Sequence, residues 1–123
     1  MKNEIKFYKD GKTGNVFTLI NKAAEEVTEH FVELKANTTD GAVEKHVPVY
    51  EVDGEEIKVR VGSNEHPMTE EHYIMWIALV TDYDITFKKL TPEDEPKATF
   101  KYEKESIVYA YCNLHGLWKT IVE

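Results

Sequence analysis

"VPVYEVDGEEIKVRV", Val47 to Val61, is the stretch that decides the fold. In its second half Ile57, Val59 and Val61 point one way while Lys58 and Arg60 point the other, the alternation of a half-buried strand. Its first half is also extended, and Asp53-Gly54 between the halves is a two-residue turn signal, so the segment reads as a β-hairpin. The alternation returns in "KATFKYE", where Ala98, Phe100 and Tyr102 interleave with Lys97, Thr99, Lys101 and Glu103. "DITFKKL", "SIVYAYC" and "LWKTIV" add further strands, and Pro92 and Pro96 hold "TPEDEP" open as a loop. Many short strands with regular turns predict an all-β fold, a two-sheet antiparallel sandwich.

Two segments read two ways. "TEEHYIMWIALV" suits a helix with Thr69 as N-cap and Glu70 and Glu71 in its first turn. It equally suits a central strand buried on both faces, because Tyr73 to Val80 is almost wholly apolar. The density of strands elsewhere favours the strand. "NKAAEEVTEHFVEL" has good helix formers between extended flanks. The turn-rich "NTTDGA" separates residues 1–36 from residues 37–123. The first part is too short to bury a core alone, so it reads as a short N-terminal appendage on one main domain.

A chain of 123 residues with 41% apolar and 31% charged residues has the composition of one globular domain. No run approaches the ~18 apolar residues of a membrane-spanning helix. "MKNEIKFYKD" lacks the apolar core of a signal peptide, which makes the cytoplasm the expected location. The net charge of −8 argues against nucleic acid or an anionic membrane as partner, since both select a basic face. A small anionic substrate is still admissible, because the field at a site is local.

Chemistry concentrates in "AYCNLHGLWK", which holds the only cysteine, Cys112, three residues before His115. One cysteine makes no internal disulfide. His46, His66 and His72 also sit at strand ends or in loops. Taken singly, each histidine is an ordinary surface residue and the cysteine a small core hydrophobe. Together, one thiol and four imidazoles from distant segments make a metal-ligand set. A structural zinc site closes with four ligands and leaves one over. Five ligands leave one octahedral position open, which suits iron. Copper is the rival, since a β-sandwich with an upstream histidine and Cys-x-x-His is how a blue-copper site begins. Such sites add a methionine soon after the second histidine, and none follows His115. A non-catalytic, cupredoxin-like electron carrier is therefore the alternative reading.

"EKHVPVYE", "VRVGSNEHPMTEEHYIMWIAL" and "YCNLHGLWK" resemble the three signature stretches of the superoxide reductases, the desulfoferrodoxin and neelaredoxin family. The likeness spans about residues 38–123. It implies an immunoglobulin-like β-sandwich that reduces superoxide to hydrogen peroxide by one electron, without making oxygen. It implies a mononuclear iron with His46, His66, His72 and His115 as equatorial ligands and the Cys112 thiolate trans to an open position. The backbone N–H groups of Leu114 and His115 would tune the sulfur. Lys45, beside His46, becomes a cationic spot for the substrate, and Glu44 a candidate sixth ligand of the ferric state. An external electron donor, rubredoxin by resemblance, and a homo-oligomer are also implied.

Two-iron members of that family carry an N-terminal domain with four cysteines around a second iron. The equivalent positions here are about Asp10, Thr13, Thr28 and Glu29, and none is cysteine. That tetrathiolate centre cannot form. His30 matches no ligand position and reads as surface or structural. About one iron per chain is therefore expected from metal analysis of well-loaded protein. Two per chain would show that the first 36 residues hold a centre built without sulfur.

Overall fold

The hairpin forms as its alternation demands. The computed structural model describes residues 5–21, 23 and 30–123. In chain order its elements are β1 (Phe7–Asp10), β2 (Val16–Thr18), β3 (Phe31–Leu34), the helical turn α1 (Val43–His46), β4 (Pro48–Asp53), β5 (Glu56–Val61), β6 (Ile74–Val80), β7 (Ile85–Lys89), β8 (Lys97–Lys101), β9 (Ile107–Cys112) and β10 (Gly116–Ile121). Strands β4 and β5 pair from Pro48↔Val61 to Asp53↔Glu56. The two-residue loop is thus Gly54-Glu55, one position beyond the expected Asp53-Gly54. The reason is φ. Gly54 takes +64° while Glu55 is not left-handed, the pattern of a turn with glycine at its first central position.

Two antiparallel sheets, in the orders β4-β5-β8 and β10-β9-β6-β7, face one another as the expected sandwich. Ile57, Val59 and Val61 of β5 and Ala98 and Phe100 of β8 meet Ile77 and Leu79 of β6 and Val108, Ala110 and Cys112 of β9 in one core. Burying each of the larger aliphatic side chains contributes roughly 1.5–3 kcal/mol. Polar ties also cross between the sheets, with Thr120 donating to the Pro48 carbonyl at 2.6 Å and Glu123 N–H to the Tyr50 hydroxyl at 3.1 Å.

A third sheet, β2-β1-β3, covers the outer face of the four-stranded sheet. Phe7 packs there with Ala78, Val80, Tyr109, Tyr111 and Leu117. This is why "YIMWIALV" is apolar on both sides: β6 is the central strand, with one core in front of it and one behind. Of the helix-leaning "NKAAEEVTEHFVEL", Phe31–Leu34 is strand β3, while most of the remainder lies outside the described residues. The chain crosses from the third sheet to the sandwich through Asn37, whose side chain accepts from Lys119 N–H at 2.9 Å and donates to the Lys119 carbonyl at 3.3 Å. Asn37 thereby closes part of the free edge of β10. Among the described residues no helix is long and apolar enough to cross a membrane.

Phe7 makes ring contacts with Trp76, Phe87 and Tyr109 at centroid distances of 5.2, 6.3 and 5.0 Å. Phe7→Ala is expected to cost about 3–5 kcal/mol of stability, the range for truncating a buried phenylalanine. Urea denaturation reads this directly. A cost below about 1 kcal/mol would show that the third sheet is not fastened by this ring.

Candidate metal centre

Three irregular segments meet at one end of the sandwich. The helical turn α1 delivers His46, the β5–β6 loop delivers His66 and His72, and the β9–β10 turn delivers His115 next to Cys112, the last residue of β9. His46 was expected to open a strand. It closes α1 instead, because Pro48 starts β4 and has no N–H to continue the helix. Gly62 lets these segments approach. A Cβ there would stand 2.7 Å from the Glu44 carbonyl oxygen and 2.9 Å from the Lys45 carbonyl carbon. Asn64 N–H and the Ser63 hydroxyl both donate to that Glu44 carbonyl, at 2.9 and 3.2 Å. On the other side Asn113 accepts from Tyr73 N–H at 3.0 Å and donates to the Glu71 carbonyl at 3.0 Å. The loop carrying His72 is thus tied to the turn carrying His115.

One donor atom from each of His46, His66, His72, Cys112 and His115 lies within 4.8 Å of every other. The four imidazoles close a ring. Their centroids are 4.6 Å apart for His46–His66, 4.5 Å for His66–His72, 5.0 Å for His72–His115 and 4.7 Å for His115–His46. The diagonal His46–His72 is longer, at 6.2 Å. His30 is exposed and stands outside this group.

Second contacts fix the proton positions. His46 Nδ1–H donates to the Ala42 carbonyl and His66 Nδ1–H to the Pro67 carbonyl, both at 2.7 Å. A carbonyl only accepts, so in the neutral rings both Nε2 atoms are bare acceptors. They face each other at 3.1 Å, and His46 Nε2 also faces His115 Nδ1 at 3.0 Å. The Nε2 of His72 is buried with no hydrogen-bond partner among the described residues. Bare nitrogens turned on one another inside a protein are unfavourable unless a cation lies between them. Neighbouring ligands at right angles around a metal with ~2.1 Å metal–nitrogen bonds stand about 3.0 Å apart, so the donor set fits one metal ion.

The protonation states agree. Burial first, and then the neighbouring rings, lower the pKa of His46 and bring that of His66 down to about 4. Burial likewise lowers His72, with help from the charges of His115 and Lys45. Neutral imidazoles are the form a metal accepts. Cys112 is fully buried, and burial pushes its thiol up, while the backbone N–H groups of Leu114 and His115 act on the sulfur in the opposite sense. Its Sγ lies 3.8 Å from His115 Nδ1. A bound metal would deprotonate the thiol outright. Glu44 and Lys45 are exposed on α1, beside the ring of histidines.

The positions where a second centre would need cysteines do other work. Asp10 accepts from Lys12 N–H at 2.8 Å and Thr13 from Asn15 N–H at 3.2 Å, both inside the β1–β2 turn. Thr28 and Glu29 lie outside the described residues. The pattern of ligands did not disclose Trp118, whose ring stacks on His46. Nor did it disclose Gly41, where a Cβ would press on His46 and His115 at 3.3 Å.

Known proteins share this arrangement of chain. A family model described as desulfoferrodoxin matches residues 38–121. A desulfoferrodoxin of Clostridium acetobutylicum is 44% identical over 122 residues, covering 97% of this chain and 98% of that protein. A superoxide reductase of Pyrococcus abyssi is 39% identical over 100 residues, covering 65% of this chain and 87% of that protein. Among solved structures, the superoxide reductase from Treponema pallidum superimposes with a TM-score of 0.74 at 37% identity, covering 96% of this chain and 99% of that one. With a family model over most of its sandwich and a relative so similar along nearly its whole length, the chain belongs to the desulfoferrodoxin family.

Proposed function

We propose that this protein is a superoxide reductase, which converts superoxide to hydrogen peroxide at one iron held by His46, His66, His72, His115 and Cys112. The observation that carries the reading is the closed ring of four imidazoles with bare nitrogens turned inward, and one sulfur beside them. Superoxide takes one electron and two protons to become hydrogen peroxide, and its O–O bond survives. The iron, when bound, supplies that electron and a positive charge for the anion. An outside reductant restores the electron. Rubredoxin is the donor that the family resemblance suggests.

The chain's own residues set the conditions. The Cys112 sulfur lies in the dry core, where a thiolate donates strongly to a metal. The N–H groups of Leu114 and His115 moderate that donation. His72 and His115 are half-buried, so water has access to this side and can deliver protons. Lys45 offers an exposed ammonium whose charge is felt at His72. It gives a protein of net charge −8 a local cationic approach. Glu44, next in the chain, would serve as a sixth ligand once turnover is complete, the role that the family resemblance suggests. Residues 1–36 form an appendage on the catalytic domain of residues 37–123, used for packing or contacts between subunits of a homo-oligomer in the cytoplasm.

Superoxide consumption with stoichiometric peroxide release and no oxygen tests the activity. A protein that binds copper and leaves superoxide untouched would be a carrier instead. Cys112→Ser is expected to remove the visible charge-transfer band of the ferric protein and most of the activity while the fold persists. A variant that keeps both colour and turnover would refute sulfur ligation.

Lys45→Ala is expected to slow the bimolecular reaction with superoxide about tenfold and to leave the ferric spectrum nearly unchanged. One charge near a half-exposed site is worth roughly 2 kcal/mol before screening by salt and about 1 kcal/mol after it. Lys45→Arg should restore most of the rate, since charge alone is at work, whereas a proton-delivering role would not survive arginine. Pulse radiolysis across ionic strength measures all three forms. Equal, salt-independent rates for wild type and Lys45→Ala would remove steering by Lys45.

A further inference from the structure

Trp118 is not one of the five grouped residues, yet it contacts two of them at once. It sits on β10, opposite Ala110 of β9, and is 2% exposed. Its indole lies against the His46 imidazole at 5.0 Å and 27°, close to parallel. The contacts among the four histidines are of another kind, tilted or edge-on. Its Nε1–H donates to the backbone carbonyl of His115 at 3.0 Å.

The two contacts act on one edge of the donor ring. His46 is held at Nδ1 by the Ala42 carbonyl, a single hydrogen bond that places the ring but does not by itself define its tilt. The flat indole against its face defines that tilt. His115 sits in the tight β9–β10 turn just before Gly116, whose φ is +79°, and its carbonyl accepts the indole N–H there. The indole N–H fixes it. The donors so fixed, His46 Nε2 and His115 Nδ1, are the pair at 3.0 Å.

We propose that Trp118 is a positioning residue for the metal site: one rigid side chain sets the separation and tilt of His46 and His115. This rests on the reading of the five residues as metal ligands. The stack sets the ring plane of His46, and the N–H sets the backbone of His115. Residues outside the ligand set that orient ligands typically carry 10–100-fold in metal affinity.

The test uses Co²⁺ as probe, with the full chain and competition by a chelator, so that no turnover is needed. Trp118→Leu removes both contacts, and Trp118→Phe restores a flat ring without the N–H. Ile57→Ala, at the end of the sandwich away from the site and equally buried, controls for loss of stability alone. Trp118→Leu is expected to bind Co²⁺ at least tenfold more weakly than wild type. Trp118→Phe should recover most of that affinity but show shifted visible bands, because the His115 side of the site is no longer tied. Ile57→Ala should melt at lower temperature with affinity and spectrum unchanged. If Trp118→Leu is folded and binds Co²⁺ as wild type does, with the same bands, the positioning role is overturned while the metal site stands. If Ile57→Ala weakens binding as much as Trp118→Leu, Trp118 acts only through stability, and the role is likewise overturned. A wild-type protein that binds no Co²⁺ or Fe²⁺ would instead overturn the ligand reading itself.

Discussion

Two nitrogen lone pairs turned on each other inside a protein are the constraint from which this structure is best understood. His46 Nε2 and His66 Nε2 lie 3.1 Å apart, and the opposite nitrogen of each ring has given its proton to a main-chain carbonyl. Water is nearly absent there, with the two residues 2% and 1% exposed. A chain folds into such an arrangement only if the surrounding structure forces it or a cation rewards it. Both are present. The carbonyls of Ala42 and Pro67 fix the tautomers, Gly62 lets α1 and the β5–β6 loop come within a Cβ's width, and the sulfur of Cys112 completes a donor set that only a metal satisfies.

The sandwich makes that forcing possible. Loops alone would yield, since they lose little by moving. Here every loop that carries a ligand leaves a strand anchored in a core. Val61 precedes the loop of His66, Ile74 follows that of His72, and Cys112 belongs to the core itself. The four-stranded sheet is clamped on both faces, so β6 and β9 have no soft side from which the site could relax. The third sheet, which carries no ligand, contributes to the metal site through that clamp.

Much of this was legible in the sequence, and the parts that were not share a cause. Period-two alternation gave β5 and β8, because one of their faces meets solvent and the pattern is then written in charge. The wholly apolar β6 was ambiguous by pattern and decided by its neighbours, as a strand buried on both faces must be. The hairpin turn was displaced by one residue because composition marks a glycine without saying which loop position its positive φ will occupy. His46 closes a helical turn of four residues, too short to leave any periodicity. The five candidate ligands were identified by residue type and family likeness. Trp118 was invisible because a tryptophan three residues after a histidine looks like core, which it also is. Its second task depends on the register Trp118↔Ala110 and on where α1 lies, neither of which is local in sequence.

The division of labour between the two kinds of ligand follows from where each comes from. Cys112 ends a core strand and is fully buried, whereas His72 and His115 arise from loops and keep contact with solvent. Sulfur donation benefits from a dry, low-dielectric setting, and arrival of an anion and its protons benefits from a wet one. A site built only from loops would wet the sulfur. A site built only from strands would close the approach. With the thiolate at the end of β9 and His72 and His115 in the segments around it, a bound metal would have one side of each kind. The cationic residue that could attract an anion, Lys45, stands on α1 beside the imidazoles, and its charge reaches His72, one of the half-exposed rings. Net charge is therefore a poor guide to what this protein binds. The −8 belongs to the whole chain, while the few residues at the end of the sandwich set the potential that a small anion meets.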